Sequence, residues 1–129
     1  MKARTIYPGM AEGTALVSHQ PIGFYGGIDA KTGIVIEKGS EIEGECVKDK
    51  MLVFPCGKGS TVGSYVIYGL KKNGVSPLAI INSETETIVA TGAILAGIPC
   101  IDGIEIDKIN TGDRLRIEAG EKEADMIKI

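Results

Sequence analysis

Two hydrophobic patterns divide the chain. In the middle, Met51–Phe54 and Leu78–Ile81 are continuous apolar runs, which are typical of short strands covered on both faces. Cys100–Ile101 begins a third strand of this kind. Toward the two ends, shorter strands are separated by glycine-containing turns. These outer strands are predicted at Arg4–Tyr7, Thr14–Ser18, Ile34–Glu37, Arg114–Glu118 and Met126–Ile129.

Two helices are predicted between the buried strands. The first places Val62, Tyr65, Val66 and Leu70 on one face at helical spacing. Asn73-Gly74 is suited to cap its C-terminus. The second helix is predicted to begin at a cap formed by Asn82 or Ser83, to run to about Ala96 and to end at Gly97.

The order of elements in the middle of the chain is strand, helix, strand, helix, strand. Such an order favours right-handed crossovers and parallel strands. With 129 residues, the chain has the length of one domain. We therefore predict a single α/β domain over residues 1–129, with a small parallel βαβαβ unit and antiparallel or barrel-like strands around it.

The amino-acid composition and charge of the chain argue against two kinds of binding partner, namely nucleic acids and membranes. Hydrophobic residues make up 43% and charged residues 24% of the chain, as in soluble globular proteins. The net charge is −3 and the basic residues are scattered, which argues against nucleic acid as a partner. The longest apolar runs are too short to span a membrane, and the N-terminus lacks the apolar segment of a signal peptide. We expect a cytoplasmic protein that binds neither nucleic acid nor a membrane.

The cysteines are Cys46, Cys56 and Cys100, and no CxxC pair occurs among them. Protein metal sites generally bring several Cys or His ligands together at short spacing. We therefore expect buried free thiols, and no metal site held by this chain alone.

The segment Gly57–Thr61 is the strongest candidate for chemistry, because it joins a buried strand to the start of a helix. Ligands of α/β sheets bind at the carboxyl ends of strands, where helix N-termini attract anions. The segment is not a P-loop, since Gly59 follows Lys58, and it is not a GxSxG nucleophile elbow. The alternative is that Ser60 or Thr61 only caps the helix.

Other candidate residues carry weaker signals. Phe24 and Tyr25 lie in a glycine-rich loop, where they either fill the core or face a ligand. His19 is the single histidine, and a lone histidine is more often a turn or surface residue than a catalyst. Glu84 and Glu86 suit the first turn of the second helix. Lys58 either binds a phosphate or carboxylate or is a solvated loop lysine.

Several segments, in order and across nearly the whole chain, resemble the swivelling domain of the aconitase X family. They are Glu12–Ser18, Pro21–Asp29, Thr32-Gly33, Gly57–Ser64, Thr91–Pro99 and Asn110–Asp113. The resemblance implies a swivelling β/β/α domain. It also implies a two-subunit hydro-lyase, in which a large subunit carries a [4Fe–4S] cluster and this chain, with no cofactor of its own, is the small subunit of the heterodimer.

The resemblance also assigns roles to residues. Ser60, directly after Gly59, matches the serine that removes the α-proton of the substrate in aconitases. Substrate binding is expected from the same loop and from the aromatic loop, at Gly57, Lys58, Gly59, Thr61, Ser64, Tyr25, Gly26 and Gly27. Val62 stands where aconitase has an arginine for a substrate carboxylate, so a citrate-type substrate is not expected.

The substrate implied for a free-standing archaeal chain of this kind is a small phosphorylated hydroxy acid. The expected reaction is dehydration of (R)-5-phosphomevalonate to trans-anhydromevalonate 5-phosphate, in a mevalonate pathway to isoprenoids. Two alternatives remain open. One is another substrate of the family, such as cis-3-hydroxy-L-proline, and the other is a non-catalytic module that binds an anion.

Overall fold

Seven β-strands and two α-helices make up the computed structural model, which describes residues 1–129. The strands are β1 (Lys2–Tyr7), β2 (Gly9–Val17), β3 (Lys50–Phe54), β4 (Ala79–Asn82), β5 (Cys100–Asp102), β6 (Arg114–Ala119) and β7 (Glu123–Lys128). The helices are α1 (Gly63–Lys72) and α2 (Thr87–Ala96), and Ile106–Lys108 forms one 3₁₀ turn.

The strands form a closed barrel in the order β1-β5-β4-β3-β2-β6-β7. Neighbours among β2, β3, β4 and β5 are parallel, and β6, β7 and β1 complete the barrel through antiparallel pairs. The predicted parallel βαβαβ unit is therefore confirmed as β3-α1-β4-α2-β5, and the predicted barrel-like strands surround it.

The central strands are buried on both faces because each face packs against a separate core. Alternate residues of β3, Met51 and Val53, point into the barrel core. Leu52 and Phe54 point outward into a second core beneath the helices, where they meet Ile67 of α1. This two-sided burial is the physical reason for the continuous apolar run in β3.

The two helices lie side by side and run in the same direction. A Cβ on Gly63 would come within 3.1 Å of Ile88, and a Cβ on Gly92 would overlap Ile67. These glycines therefore let the helix backbones approach closely. Because both helices follow parallel strands, their N-termini lie at the carboxyl edge of the sheet.

An ion pair between an exposed arginine and a buried carboxylate joins two strands of the barrel. Asp102, at the end of β5, is buried, and Arg4 of β1 donates from Nε and Nη2 to its carboxylate at 2.9 and 2.7 Å. The Thr85 N–H donates to the same carboxylate at 2.9 Å. Burial alone would raise the pKa of Asp102, but these hydrogen bonds and the charge of Arg4 hold it below its ordinary value.

The prediction of a strand at Ile34–Glu37 is wrong. Ile34 and Val35 make only isolated bridges, to Cys46 and Ile28 respectively. The strand does not continue because the following backbone turns back, and the Ile36 and Glu37 N–H groups both donate to the carbonyl of Gly27.

Two predictions about the helices are wrong: which face of α1 is buried, and which residue caps the N-terminus of α2. In α1 the buried residues are Gly63, Ser64, Ile67 and Leu70, whereas Val62 and Tyr65 are exposed, because the side with the smallest residues packs against α2. The cap of α2 is Glu86, whose carboxylate accepts from the Ile88 and Val89 N–H groups, rather than Asn82 or Ser83. Asn82 still belongs to β4, and its amide donates to the Phe54 carbonyl.

Candidate functional site

The two loops singled out in the sequence lie against each other at the carboxyl edge of the sheet. The Ile22 N–H donates to the carbonyl of Cys56 at 3.1 Å, and the Lys58 N–H donates to the carbonyl of Ile22 at 3.0 Å. Gly23 lies against the Lys58 side chain, where an added Cβ would be 3.5 Å from Cγ. The aromatic loop and the Gly57–Thr61 loop therefore form one continuous surface.

Ser60 is exposed on this surface, just before α1. Its Oγ accepts the Val62 N–H at 3.1 Å, and its carbonyl accepts the Gly63 N–H at 2.9 Å. No side chain caps α1 at Val62, the residue that precedes its first turn. The hydroxyl of Ser60 thus stabilises the turn that leads into the helix, where the Ser64 N–H also donates, to the Thr61 carbonyl at 3.1 Å.

Gly59 permits this placement of Ser60. Its φ is +86°, a left-handed conformation that residues with a Cβ rarely adopt, and its surroundings are open. Thr61 is exposed beside Ser60. The hydroxyl-bearing residues Ser60 and Thr61 are therefore both exposed to solvent just before the N-terminus of α1.

Ser64 has a different environment from Ser60 and Thr61. Its side chain is buried, and its Oγ donates to the carbonyl of Ile88 at 2.7 Å. The hydroxyl therefore links the first turn of α1 to the first turn of α2. As a substrate contact, Ser64 stays a prediction.

Lys58 is held in an ion pair across the two loops. Its Nζ lies 3.5 Å from Oε2 of Glu37, and both side chains are partly exposed. The Glu37 N–H donates to the carbonyl of Gly27, which anchors the acidic partner to the aromatic loop. Sequence reasoning missed Glu37, because nothing local in the sequence indicates a pair of residues so far apart in the chain.

The aromatic loop uses its two rings differently. Phe24 is buried and meets the ring of Phe54 edge to face, with the centroids 5.8 Å apart. Tyr25 is exposed, beside Gly26 with its φ of +80°. Gly27 packs directly on the carbonyl of Gly23, which leaves no space for a side chain. One aromatic fills the core, and the other is exposed on a loop whose Tyr25 backbone nitrogen lies close to Gly63.

An acidic cleft of about 350 Å³ borders the Gly57 loop on its other side. Its lining includes Cys56, Glu84 and Glu86. Glu86 packs so closely on Gly57 that an added Cβ there would overlap its carboxylate. Burial, together with the charges of Glu86 and Glu84, raises the pKa of the Cys56 thiol, so this thiol stays protonated at neutral pH.

The three cysteines have separate surroundings. Cys46 Sγ lies 3.4 Å from the carbonyl of Thr32, and Cys100 contacts the hydroxyl of Thr85. Burial raises the pKa of Cys100 to about 12. No group of three or more His, Cys, Asp or Glu side chains is placed to hold a metal ion. Iron–sulfur clusters are held by several cysteine side chains together, so these three separated cysteines do not fit such a group.

His19 is paired with an acidic side chain. Both its backbone N–H and Nδ1 contact the Glu41 carboxylate, with Nδ1 to Oε1 at 2.8 Å. The hydrogen bond that His19 Nδ1 donates to the Glu41 carboxylate, and then the negative charge of Glu41, raise the pKa of His19. The structure therefore gives this histidine a local partner and no link to the hydroxyl of Ser60.

The closed barrel with a parallel βαβαβ unit, and a serine-bearing loop at its carboxyl edge, are features of a swivel domain. A sequence model of the aconitase X swivel domain matches residues 1–128. The chain belongs to this family.

Relatives and a solved structure extend the match over the full length. The phosphomevalonate dehydratase small subunit of Thermococcus sibiricus is 56% identical over 126 residues, which cover 98% of this chain and 97% of the relative. The protein of the same name from Thermococcus onnurineus is 57% identical over 121 residues, with coverage of 94% and 93%. The crystal structure of Thermococcus kodakaraensis aconitase X in its holo-form superposes with a TM-score of 0.92 at 51% identity, covering 98% of both chains. Neither α1 nor α2 has the length and apolar character needed to cross a membrane.

Proposed function

We propose that this chain is the small subunit of a dehydratase that converts (R)-5-phosphomevalonate to trans-anhydromevalonate 5-phosphate, with Ser60 as the catalytic base. The observation that carries the proposal is the exposed Ser60 Oγ, which accepts the Val62 N–H at the mouth of α1. Relatives more than half identical to this chain are named phosphomevalonate dehydratase small subunits, which supports the substrate and the reaction.

Ser60 requires help to act as a base, because an isolated serine hydroxyl is a very weak acid. The Val62 N–H and the positive end of the α1 dipole both favour negative charge on its oxygen. In the proposed step, this oxygen takes the proton from the carbon next to the substrate carboxylate. The adjacent carbon loses its hydroxyl, and the products are the alkene and water.

Lys58 supplies a positive charge two residues before Ser60 in the sequence. Its pairing with Glu37 keeps the ammonium group at the junction of the two loops, and the side chain remains half exposed. In the proposal, Lys58 binds an anionic group of the substrate as a point charge.

The partner in the proposal is a large subunit, as the name "small subunit" of the relatives implies. A [4Fe–4S] cluster that acts on the leaving hydroxyl is assigned to that partner. The three separated cysteines of this chain do not form a ligand set for the cluster, and no residue here is proposed to contact it. The site is completed, in this proposal, when the large subunit covers the surface that bears Ser60, and the complex is expected in the cytoplasm.

The test is an assay of the complex and of its parts. The chain is co-expressed with the large subunit encoded in the same genome, purified without oxygen, and tested for iron and for dehydration of (R)-5-phosphomevalonate. We expect the complex to contain iron and to be active. We expect the small chain alone to have neither iron nor activity.

A panel of substrates separates the alternatives. Turnover of cis-3-hydroxy-L-proline in place of the phosphorylated acid would contradict the substrate. Binding of inorganic phosphate without turnover of either compound would instead identify an anion-binding module. An active, iron-containing preparation of the small chain alone would contradict the division of labour between subunits.

A further inference from the structure

The outward side of α2 has an unusual composition for a helix at a protein surface. Its ten residues, Thr87–Ala96, include no charged side chain. A surface helix normally carries charged or polar residues on its solvent side. Here Ile94 and Leu95 are 53% and 50% exposed, and Thr87 and Thr91 are also exposed.

The adjoining side of α1 continues this neutral surface. Tyr65 is 68% exposed, and Val62 and Tyr68 are exposed with it. A shallow groove of about 320 Å³ runs between the two helices. We call it the helical groove, and its lining is Thr61, Ser64, Tyr65, Thr87, Ile88, Thr91 and Leu95. Contiguous exposed apolar surface of this kind marks interaction sites, whose centres are depleted of charge and enriched in aromatic residues.

The opposite side of the barrel provides a contrast. On β6 and β7, the exposed Ile127 lies in a hollow lined by Arg116, Glu118 and Asp125. Glu12 of β2 pairs there with Arg116 at 4.0 Å. Interleaved charges of both signs are typical of a surface in contact with water. The absence of charge is therefore a property of the helical groove and of α2, since α1 carries Lys71 and Lys72 in its last turn.

The helical groove lies next to the Ser60 loop, and this position indicates which partner binds there. Thr61 belongs both to the Ser60 loop and to the lining of the groove, and Val62 and Tyr65 follow it along α1. Any partner that closes over Ser60 is thus brought directly onto Tyr65 and Leu95. We infer that the helical groove is a docking surface for the large subunit, with Tyr65 and Leu95 as its principal contacts. This inference rests on the proposed function, which requires that subunit.

The test compares charged substitutions on the two sides of the barrel. Leu95→Asp and Ile127→Asp change residues of similar exposure, 50% and 44%. Each variant is mixed with the large subunit, and the dissociation constant is measured by titration calorimetry. We expect Leu95→Asp to weaken binding roughly 30-fold or more, as loss of a central interface contact does, and Ile127→Asp to change it less than about threefold.

A second variant and two further measurements keep the result interpretable. Tyr65→Arg should weaken binding as Leu95→Asp does, and the thermal melting of both chains should stay close to that of the unsubstituted chain. Light scattering of the isolated chain tests whether a second copy occupies the groove. A dimer that Leu95→Asp dissociates, with binding to the large subunit unchanged, would overturn the inference.

The outcomes distinguish this inference from the proposed function. If the unsubstituted chain forms an active complex but Leu95→Asp and Tyr65→Arg bind normally, the docking surface is wrong and the proposed function stands. If Ile127→Asp weakens binding as much as Leu95→Asp, the assignment to the helical side is also wrong. If the unsubstituted chain does not bind the large subunit, the proposed function fails and the inference fails with it.

Discussion

Phe24 and Tyr25 are neighbours in the chain but have opposite environments, with exposed fractions of 1% and 63%. The ring of Phe24 packs edge to face on Phe54 in the core beneath the helices. Tyr25 projects from the same loop, and its backbone nitrogen approaches Gly63 at the start of α1. The loop is therefore anchored by one aromatic and offers the other to a partner or ligand.

This arrangement predicts different effects for two alanine substitutions. Phe24→Ala should lower the free energy of unfolding by about 3 kcal/mol or more, because it removes a fully buried ring and leaves a cavity. Tyr25→Ala should leave the melting temperature nearly unchanged and should weaken subunit association or turnover. Denaturant titration and binding measurements on both variants check this. A Tyr25→Ala chain with unchanged association and turnover would exclude the exposed ring from the site.

Substitution of Ser60 separates catalysis from capping. Ser60→Ala in the complex should lower kcat by about 10²–10⁴-fold, the usual range for loss of a general base. If the hydroxyl only stabilises the turn before α1, the loss would be about 1 kcal/mol of stability with normal turnover. Turnover and thermal melting are measured on the same preparation.

Ser64→Ala is the matched control for Ser60→Ala. Its hydroxyl donates to the Ile88 carbonyl, so its removal should cost about 1 kcal/mol of stability or more. We expect its kcat to remain close to normal once the complex is folded, and a raised KM would support the predicted substrate contact of Ser64. A large loss of kcat in Ser64→Ala together with normal kcat in Ser60→Ala would move the catalytic role to Ser64.

The ion pair of Lys58 with Glu37 predicts an effect on substrate binding. Lys58→Met should raise KM for the phosphorylated acid about tenfold, because it removes a charged hydrogen-bond donor from the site. Glu37→Gln should raise KM less, since it only loosens the position of Lys58. Lys71→Met, in the last turn of α1, is the control. An unchanged KM in Lys58→Met would leave this lysine as a surface residue.

The Arg4–Asp102 pair predicts how stability depends on pH. The pKa of Asp102 is lowered in the folded state, so its contribution is present above the unfolded value of about 4 and is lost as pH falls through the folded value. Arg4→Met removes the partner of a buried carboxylate. It should lower the free energy of unfolding at neutral pH and shift acid unfolding to higher pH, because the pKa of Asp102 then rises.

Arg114→Met provides the comparison for Arg4→Met. Arg114 pairs with Glu12 at 3.8 Å at the surface, and such pairs contribute less than about 1 kcal/mol. Equal losses of stability in the two variants, measured by denaturant titration at pH 7 and pH 4, would contradict the role given to Asp102.

Much of the parallel unit could be predicted from short-range patterns. The apolar runs Met51–Phe54 and Leu78–Ile81 correspond to β3 and β4 with shifts of one residue at their ends. Gly97 ends α2 in the left-handed conformation, and Asn73 follows the last turn of α1 as its cap. Strand burial and helix termination depend on residues within a few positions of each other, so a single sequence contains the relevant information.

The buried face of α1 could not be predicted in the same way. Val62 and Tyr65 satisfy helical spacing with Leu70, but the face that packs inward is Gly63, Ser64 and Ile67. Close approach of α2 selects the small residues, and that choice depends on a helix more than twenty positions away.

The sequence by itself thus determined the α/β class, the parallel unit and the place of the Ser60 loop after a buried strand, because local hydrophobic periodicity and turn residues specify these features. Only the tertiary structure decided that the barrel closes through β1, that Glu37 holds Lys58, that the loop of Tyr25 meets the start of α1, and that Thr61 lines the helical groove with residues of α2. Each of these relationships joins segments that are distant in the chain. Their contacts depend on the packing of the whole barrel, which no local pattern encodes.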